Sequence, residues 1–217
     1  MKVLNLYAGI GGNRKLWTDV EVTAIELNPQ IAKIYQDFFP QDKVIVADAH
    51  QYLLEHILDG WNFIWASPPC PTHSRLNNVF TVGKTENTTN PICYPDMQLY
   101  QEIVLLKHHF SGKYCVENVI SYYNPLYPPQ EVDNHYFWTN FHIMAFPKGT
   151  RGHYAGKEKL SEIKGFDISK YSGIDKIKTL RNCVKPELGL HILNESKINI
   201  QPELFNSAIQ EMKRRVG

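Results

Sequence analysis

A cysteine that follows two prolines has the clearest capacity for chemistry in this sequence. Residues 63–66 (Phe-Ile-Trp-Ala) have the length and composition of a buried strand, and residues 67–70 then read Ser-Pro-Pro-Cys. Because proline donates no hydrogen bond to a sheet ladder, the strand should end there, with Cys70 on a stiff loop beyond its carboxyl end. A thiolate at this edge of a sheet can act as a nucleophile on a bound ligand. The alternative for a single cysteine is a buried packing thiol in a proline-rich turn.

A carboxylate inside a second apolar strand is the other unusual feature. Residues 114–119 read Tyr-Cys-Val-Glu-Asn-Val, so that Glu117 and Asn118 interrupt an otherwise apolar run. Burying a carboxylate without a partner is costly. Glu117 is therefore either an ordinary acid at a strand end or a functional acid, and the sequence leaves both open.

A glycine turn and two acids at strand ends indicate a nucleotide-type cofactor site. Residues 3–7 predict a strand that runs into residues 8–12 (Ala-Gly-Ile-Gly-Gly), and a helix is expected to follow at residues 14–17. In this layout glycines let the backbone approach the ligand, and the helix N-terminus offers free N–H groups. Glu26 and Asp48 end the next two predicted strands, where their carboxylates can accept hydrogen bonds from ribose hydroxyls and an adenine amino group. A plain tight turn and two solvated acids are the alternatives.

Strands and helices alternate along the chain and position these residues. Strands are predicted over residues 3–7, 22–26, 44–48, 63–66 and 114–119, with one or two more over 135–146; helices are predicted from Pro29 onward and over about 51–58, 97–110 and 202–215. This succession predicts a doubly wound α/β sheet. Residues 71–96 are polar and aperiodic, which indicates a lid or binding loop, with a disordered segment as the alternative. Residues 147–178 are rich in lysine and glycine and form either a solvated, irregular insertion or a surface that contacts phosphates.

Length and composition indicate one globular domain. The 217 residues are 43% hydrophobic and 21% charged, which is enough to bury a core. The cysteines have no close spacing, and we see no signal peptide or membrane-length run, so a cytoplasmic, reducing location is expected. No metal site is expected, because His108 and His109 have no partner at ligand spacing. Residues 111–217 hold 15 Lys/Arg against 11 Asp/Glu, which is compatible with a polyanionic substrate.

Taken in order, these segments resemble the cytosine-C5 DNA methyltransferase family. Residues 5–12 resemble its cofactor-binding motif, with Asn5 where an Asp is usual, and residues 26–29 and Asp48 resemble its second and third motifs. Residues 67–70 with Ser74 resemble the nucleophile motif, although Pro71 replaces the common Gln. Residues 117–119 match its Glu-Asn-Val motif, and residues 182–184 more loosely resemble its last motif, whose asparagine lies by the cofactor.

The resemblance implies a Rossmann-like, S-adenosylmethionine-dependent methyltransferase sheet with helices on both faces. Cys70 would add to C6 of cytosine, Glu117 would relieve the charge that develops towards N3, and Asn118 would help to hold the loop. In duplex DNA the base must first leave the stack, and the 71–96 loop would close over it. The residues implied to bind the substrate are Ser74, Arg75 and His135; those implied to bind the cofactor are Tyr7, Ala8, Gly9, Gly11, Gly12, Glu26, Asp48, Ala49, Pro68 and Asn182.

Two departures from the family concern the reading of DNA sequence. No Gln-x-Arg-x-Arg motif is present, since residues 135–140 occupy its place without those arginines, and residues 147–178 are far shorter than the usual target-recognition domain. We expect a catalytic core over 1–146, a reduced recognition insertion over 147–178 and a return to the core over 179–217. The expected partners are DNA and a second protein or subunit that supplies sequence recognition, with no membrane partner.

Two further functions remain open at this stage. An RNA substrate such as tRNA would use the same chemistry on the same fold. A catalytically silent accessory subunit that binds DNA or a partner enzyme is the other alternative. The presence of both Cys70 and Glu117 argues against a silent protein, whereas the small recognition segment argues for a partner.

Overall fold

A seven-stranded mixed sheet forms the centre of the protein. The computed structural model describes residues 1–75, 94–147 and 156–198. The strand order is β3-β2-β1-β4-β5-β7-β6. The strands are β1 (Lys2–Leu6), β2 (Glu21–Glu26), β3 (Lys43–Val46), β4 (Phe63–Ala66), β5 (Lys113–Val119), β6 (Gln130–Val132) and β7 (His135–Thr139).

The order of the strands reverses between β1 and β4. Strands β1 to β5 are parallel, and β7 runs antiparallel to both β5 and β6. From β1 the chain moves outward through β2 to β3, and it then returns to place β4 on the other side of β1. In sheets of this kind ligands bind outside the carboxyl ends of the strands at the reversal point. The doubly wound α/β fold predicted from the sequence is confirmed.

Helices cover both faces of the sheet. The structure describes α1 (Pro29–Phe38), α2 (Ala49–His56), α3 (Gln98–His109), α4 (Lys157–Lys164), α5 (Lys176–Arg181) and α6 (Pro186–Lys197). Leu4 and Ile64 pack in one buried cluster with residues of α2 and α3, whereas Val3 and Phe63 pack on the opposite face with residues of α6. This alternation follows from the two-residue period of a strand. None of the described helices is long and apolar enough to cross a bilayer.

The segment between β1 and β2 differs from the prediction. Residues 7–20, all of them described, contain no helix. Successive turns replace it, and Gly11, Arg14 and Trp17 each donate a backbone hydrogen bond to the carbonyl three residues earlier. The cause is tertiary: Asn13 Nδ2 donates to Asn5 Oδ1 at 2.9 Å, and Arg14 Nε lies 2.8 Å from Asp42 Oδ2 in a buried ion pair. These side-chain contacts draw the segment against the sheet, and they override its local helical preference.

The later part of the chain is more ordered than the lysine and glycine content indicated. Residues 156–178 contain α4 and the start of α5, and Leu160, Phe166 and Ile168 are buried in one cluster with Tyr35 and Phe39. Of the two alternatives for this segment, the solvated, irregular insertion is therefore wrong for residues 156–178. Strand β6 and helix α6 were not predicted, and β7 ends at Thr139. The helix predicted at 202–215 and most of the 71–96 segment lie outside the described residues.

Candidate active site

The parallel register brings the candidate catalytic and cofactor-binding residues to one edge of the sheet. Leu6 of β1 pairs with Ala66 of β4, and Ala66 pairs with Val116 of β5. The residues that follow these positions are Tyr7 with the glycine turn, the Ser-Pro-Pro-Cys loop, and Glu117. Three segments that are distant in sequence therefore meet at the point where the strand order reverses.

Asn118 holds the loop that carries the cysteine. Its Nδ2 donates to the carbonyl of Pro68 at 3.0 Å, and Asn118 is buried. Beyond the cysteine, the N–H groups of His73 and Ser74 donate to the Cys70 carbonyl at 3.0 and 3.2 Å. The loop is thus closed by its own turn and fastened to β5, as the resemblance implied for Asn118.

A second set of contacts ties the loop to the chain beyond β5. Arg75 Nε donates to the Ser121 carbonyl at 2.9 Å, and Ser74 forms an isolated bridge with Ser121. His73 is completely buried, and its Nδ1 lies 2.6 Å from the Tyr123 hydroxyl. The contact between His73 and Tyr123 could not be predicted from the sequence, because a pairing across 50 residues leaves no local signal. Ser74 and Arg75, which were expected to bind substrate, are shown here fastening the loop.

The environment of Cys70 keeps its thiol protonated at rest. Burial, followed by the nearby Glu117 carboxylate, raises the pKa of Cys70 from 9.0 to about 11, against smaller opposing effects of a backbone hydrogen bond and Lys178. Cys70 and Glu117 are therefore close enough to interact electrostatically. A nucleophilic role requires that the proton leave as the substrate is engaged.

Glu117 lies in a buried position with His135 beside it. Glu117 Oε1 is 3.9 Å from His135 Nε2, and His135 Nδ1 is 2.9 Å from the Asp133 carbonyl. A carbonyl only accepts, so Nδ1 carries a proton and Nε2 faces the carboxyl group. His135 therefore lies beside the predicted acid.

Lys164 is a buried cation that the sequence analysis did not identify. Its Nζ donates to the Cys183 carbonyl. Burial is the main cause that lowers the pKa of Lys164, and Glu117 and Asp133 are among the charges that oppose this. Its position in a lysine-rich segment gave no reason to distinguish it from the solvated lysines.

The glycine turn and Glu26 form the second half of the site. Glu26 Oε2 accepts from the Gly9 N–H and Oε1 from the Asn28 N–H, both at 2.9 Å. Each carboxylate oxygen retains a further lone pair for a ligand hydroxyl. A Cβ at Gly9 would meet nothing within 4 Å, whereas one at Gly11 would lie 2.4 Å from the Phe39 ring. Gly9 thus faces open space beside the Glu26 carboxylate, and this arrangement fits the ribose of a nucleoside cofactor. Gly11, in contrast, is required for core packing.

The remaining cofactor candidates differ in their surroundings. Asp48 is exposed and caps α2, where its Oδ1 accepts from the Gln51 N–H at 2.8 Å; Ala8, Ala49 and Pro68 are buried around the site. Their contacts with a cofactor remain predictions. The helix N-terminus expected after the glycines is absent, so any N–H groups offered to a ligand there belong to turns.

The returning segment lies against the glycine turn, as the resemblance implied. A Cβ at Gly12 would lie 2.6 Å from the Val184 carbonyl oxygen and 2.8 Å from Cys183 Cβ. Gly12 is therefore required by this close approach. Asn182 itself is exposed at the end of α5. Among the described residues, no group of three or more His, Cys, Asp or Glu side chains is placed to hold a metal ion.

A family match agrees with this geometry. Residues 1–91 match the C-5 cytosine-specific DNA methylase family. The resemblance stated from the motifs is thereby confirmed, and so is S-adenosylmethionine as the expected cofactor. The match includes the glycine turn, Glu26, Asp48 and Cys70. Glu117 and the returning segment lie beyond it, so their assignment rests on the arrangement in the structure.

Individual relatives cover only part of the chain. The tRNA (cytosine(38)-C(5))-methyltransferase of Spodoptera frugiperda is 29% identical over 100 residues, which are 43% of this chain and 29% of that protein. A solved DNMT2 variant from Spodoptera frugiperda is 26% identical, with a TM-score of 0.36 over 54% of this chain and 35% of that one. S. pombe Dnmt2 is 20% identical, with a TM-score of 0.38 over 55% and 34%. Because these TM-scores are low, the fold assignment is based on the observed strand order.

Proposed function

We propose that this protein transfers a methyl group from S-adenosylmethionine to C5 of cytosine in DNA, through a covalent bond between Cys70 and C6. The observation that carries the proposal is the meeting of Cys70, in the loop after β4, with Glu117 of the adjacent strand β5, and the hydrogen bond by which Asn118 fastens that loop. The glycine turn and Glu26 lie at the same edge and fit the cofactor.

The chemistry follows from what cytosine lacks. C5 of cytosine is a poor nucleophile until a thiolate adds to C6 and places electron density on C5. Bound S-adenosylmethionine would supply the electrophilic methyl group at that carbon. Cys70 would release its proton to water as its sulfur bonds to C6, and Glu117 would share a proton with N3 to relieve the charge that develops there. After methyl transfer, which leaves S-adenosylhomocysteine, loss of the C5 proton to water would cleave the Cys70–C6 bond. The shared proton would return to Glu117, and 5-methylcytosine would be released.

DNA is the proposed substrate, and tRNA is the second candidate. The description of the matching family supports DNA. The printed activity of the Spodoptera frugiperda relative supports tRNA. Both are polyanions, and the lysine-rich segment 147–178 is suited to phosphate contacts in either case. A duplex substrate would require the target base to leave the stack before it can reach Cys70.

A partner that reads sequence is part of the proposal. Phosphate contacts position a protein on DNA without identifying bases. Residues 147–178 are short, and the described part of them packs against α1. We therefore propose that the isolated protein has a short or relaxed target sequence and that a second protein or subunit narrows it.

The experiment is a transfer assay with S-adenosylmethionine labelled in its methyl group. Duplex DNA, single-stranded DNA and tRNA are offered separately to the wild-type protein, to Cys70→Ala and to the control Cys93→Ala. Label in 5-methylcytosine with the wild type and the control, but not with Cys70→Ala, is the expected result. Label only in tRNA would select the second candidate. No transfer to any nucleic acid, with cofactor binding retained, would favour an accessory protein over an enzyme.

A further inference from the structure

A completely buried glutamate lies behind the cofactor turn. Glu102 of α3 is 0% exposed. Its Oε1 accepts a hydrogen bond from the Tyr7 hydroxyl at 2.6 Å and lies 3.1 Å from His50 Nδ1. Its Oε2 has no hydrogen-bond partner among the residues that the structure describes. The proposed chemistry does not use this group, and Glu102 was not singled out from the sequence.

The surroundings of Glu102 raise the pKa of its carboxyl group. Burial is the main cause that raises the pKa of Glu102, and the charge of Asp48 adds to it, whereas Tyr7 and His50 act in the opposite direction. An ionised carboxylate would leave a charged oxygen buried without a donor, which is costly. The pKa of the Tyr7 phenol is raised, first by burial and then by Glu102, with smaller contributions from Asp48 and Asp96. Tyr7 therefore remains a hydrogen-bond donor.

Tyr7 has an unusual backbone conformation at the position where β1 becomes the turn. Its φ is +55°, in the left-handed region that few residues other than glycine adopt. The conformation requires support from its surroundings, because it is strained for a bulky side chain. The next backbone groups have defined partners: the Ala8 N–H donates to the Ile25 carbonyl at 2.9 Å and the Gly9 N–H donates to Glu26 at 2.9 Å. The path of the turn past Gly9 thus begins at a strained residue whose side chain is anchored on Glu102.

We propose that Glu102 is a positioning residue of the cofactor site: it holds Tyr7, and through Tyr7 the glycine turn, in the conformation that receives S-adenosylmethionine. This inference rests on the proposed function. Glu102 acts through Tyr7 and does not itself contact the reacting atoms. Its neutral form is sufficient, because the role requires one acceptor oxygen for the Tyr7 hydroxyl.

The test compares Glu102→Gln, Glu102→Ala, Tyr7→Phe and the double variant Tyr7→Phe/Glu102→Ala. Glutamine keeps an acceptor oxygen and no charge, so Glu102→Gln should bind S-adenosylmethionine within about twofold of the wild type by calorimetry. Glu102→Ala and Tyr7→Phe each break the contact and should weaken binding by about tenfold. The double variant should bind no more weakly than either single variant, because both remove one interaction. Glu55→Gln, on the exposed surface of α2, is the matched control.

A second readout uses the protein without cofactor. The ring resonances of isotopically labelled Tyr7 should move in Glu102→Ala and stay near their wild-type positions in Glu102→Gln. Wild-type affinity in both Glu102→Ala and Tyr7→Phe would overturn the inference, as would a Glu102→Gln variant as impaired as Glu102→Ala. If the wild type itself binds no S-adenosylmethionine, the proposed function fails. Tyr7 resonances unchanged in Glu102→Ala would then overturn the positioning contact independently.

Discussion

Replacing Glu117 by glutamine should make Cys70 more acidic while it abolishes methyl transfer. Burial is the larger cause of the raised pKa of Cys70, and the Glu117 carboxylate is the second. Glutamine has nearly the same shape as glutamate and carries no charge. The substitution therefore removes the electrostatic contribution and leaves the burial in place. Transfer should still fail, because glutamine cannot deliver a proton towards N3.

The structure bounds the size of the change. The pKa of Cys70 is about 11 against an ordinary 9.0, and burial accounts for the larger share of the difference. Removing the Glu117 charge should therefore lower the pKa of Cys70 by less than burial raises it, on the order of one unit. At a fixed pH below the pKa, the thiolate fraction and the alkylation rate of Cys70 should rise on the order of tenfold.

The assay is iodoacetamide alkylation followed by mass spectrometry across a pH series, in a Cys93→Ser background. Cys115 and Cys183 are buried and have raised pKa values, so Cys70 is the reactive thiol among the described cysteines. Glu131→Gln, at an exposed position of β6, is the matched control and should leave the profile unchanged. An unchanged or raised pKa of Cys70 in Glu117→Gln would refute the coupling between these two residues.

Three other perturbations test separate parts of the site. Asn118→Ala should release the Pro68 carbonyl and lower kcat by about tenfold with little effect on the cofactor Kd. An unchanged kcat would show that the Asn118–Pro68 hydrogen bond is dispensable. Glu26→Ala removes the acceptor of two backbone N–H groups and should weaken S-adenosylmethionine binding by about tenfold or more in calorimetry, and wild-type affinity would contradict the cofactor placement. Burial lowers the pKa of His73 from 6.5 in the folded protein. As the pH falls, His73 is therefore protonated at a higher pH in the unfolded chain than in the folded one. The free energy of unfolding should therefore decrease below about pH 6.5, more steeply than in His73→Gln, and equal slopes in denaturant titrations would count against a buried neutral His73.

The central strands could be predicted from local patterns. The run Phe63–Ala66 is apolar throughout because β4 is buried on both faces, and two prolines end it where the loop begins. Glu117 stood out because an acid is rare inside a strand that otherwise reads as core. Since the carboxyl ends of parallel strands share one edge, Tyr7, Cys70 and Glu117 could be placed together without knowledge of their contacts.

Several of the failures originate in long-range polar contacts. The helix predicted at residues 14–17 is absent because the Arg14–Asp42 ion pair and the Asn5–Asn13 contact determine the path of that segment. Likewise, the roles of Lys164 and Glu102 depend on partners from distant parts of the chain. A hydrophobic period reports which face of a helix is buried, and it does not report which polar side chain finds a partner there.

The covalent bond between Cys70 and cytosine is the central claim, and trapping it is the most direct test. In an oligonucleotide with 5-fluorocytosine at the target position, the fluorine cannot leave as a proton does, so the Cys70–C6 bond should persist after methyl transfer. Incubation with S-adenosylmethionine and mass spectrometry of the digested protein should find the oligonucleotide attached at Cys70, and none in Cys70→Ala. An adduct on another residue, or methyl transfer to normal cytosine with no trappable adduct, would contradict the account.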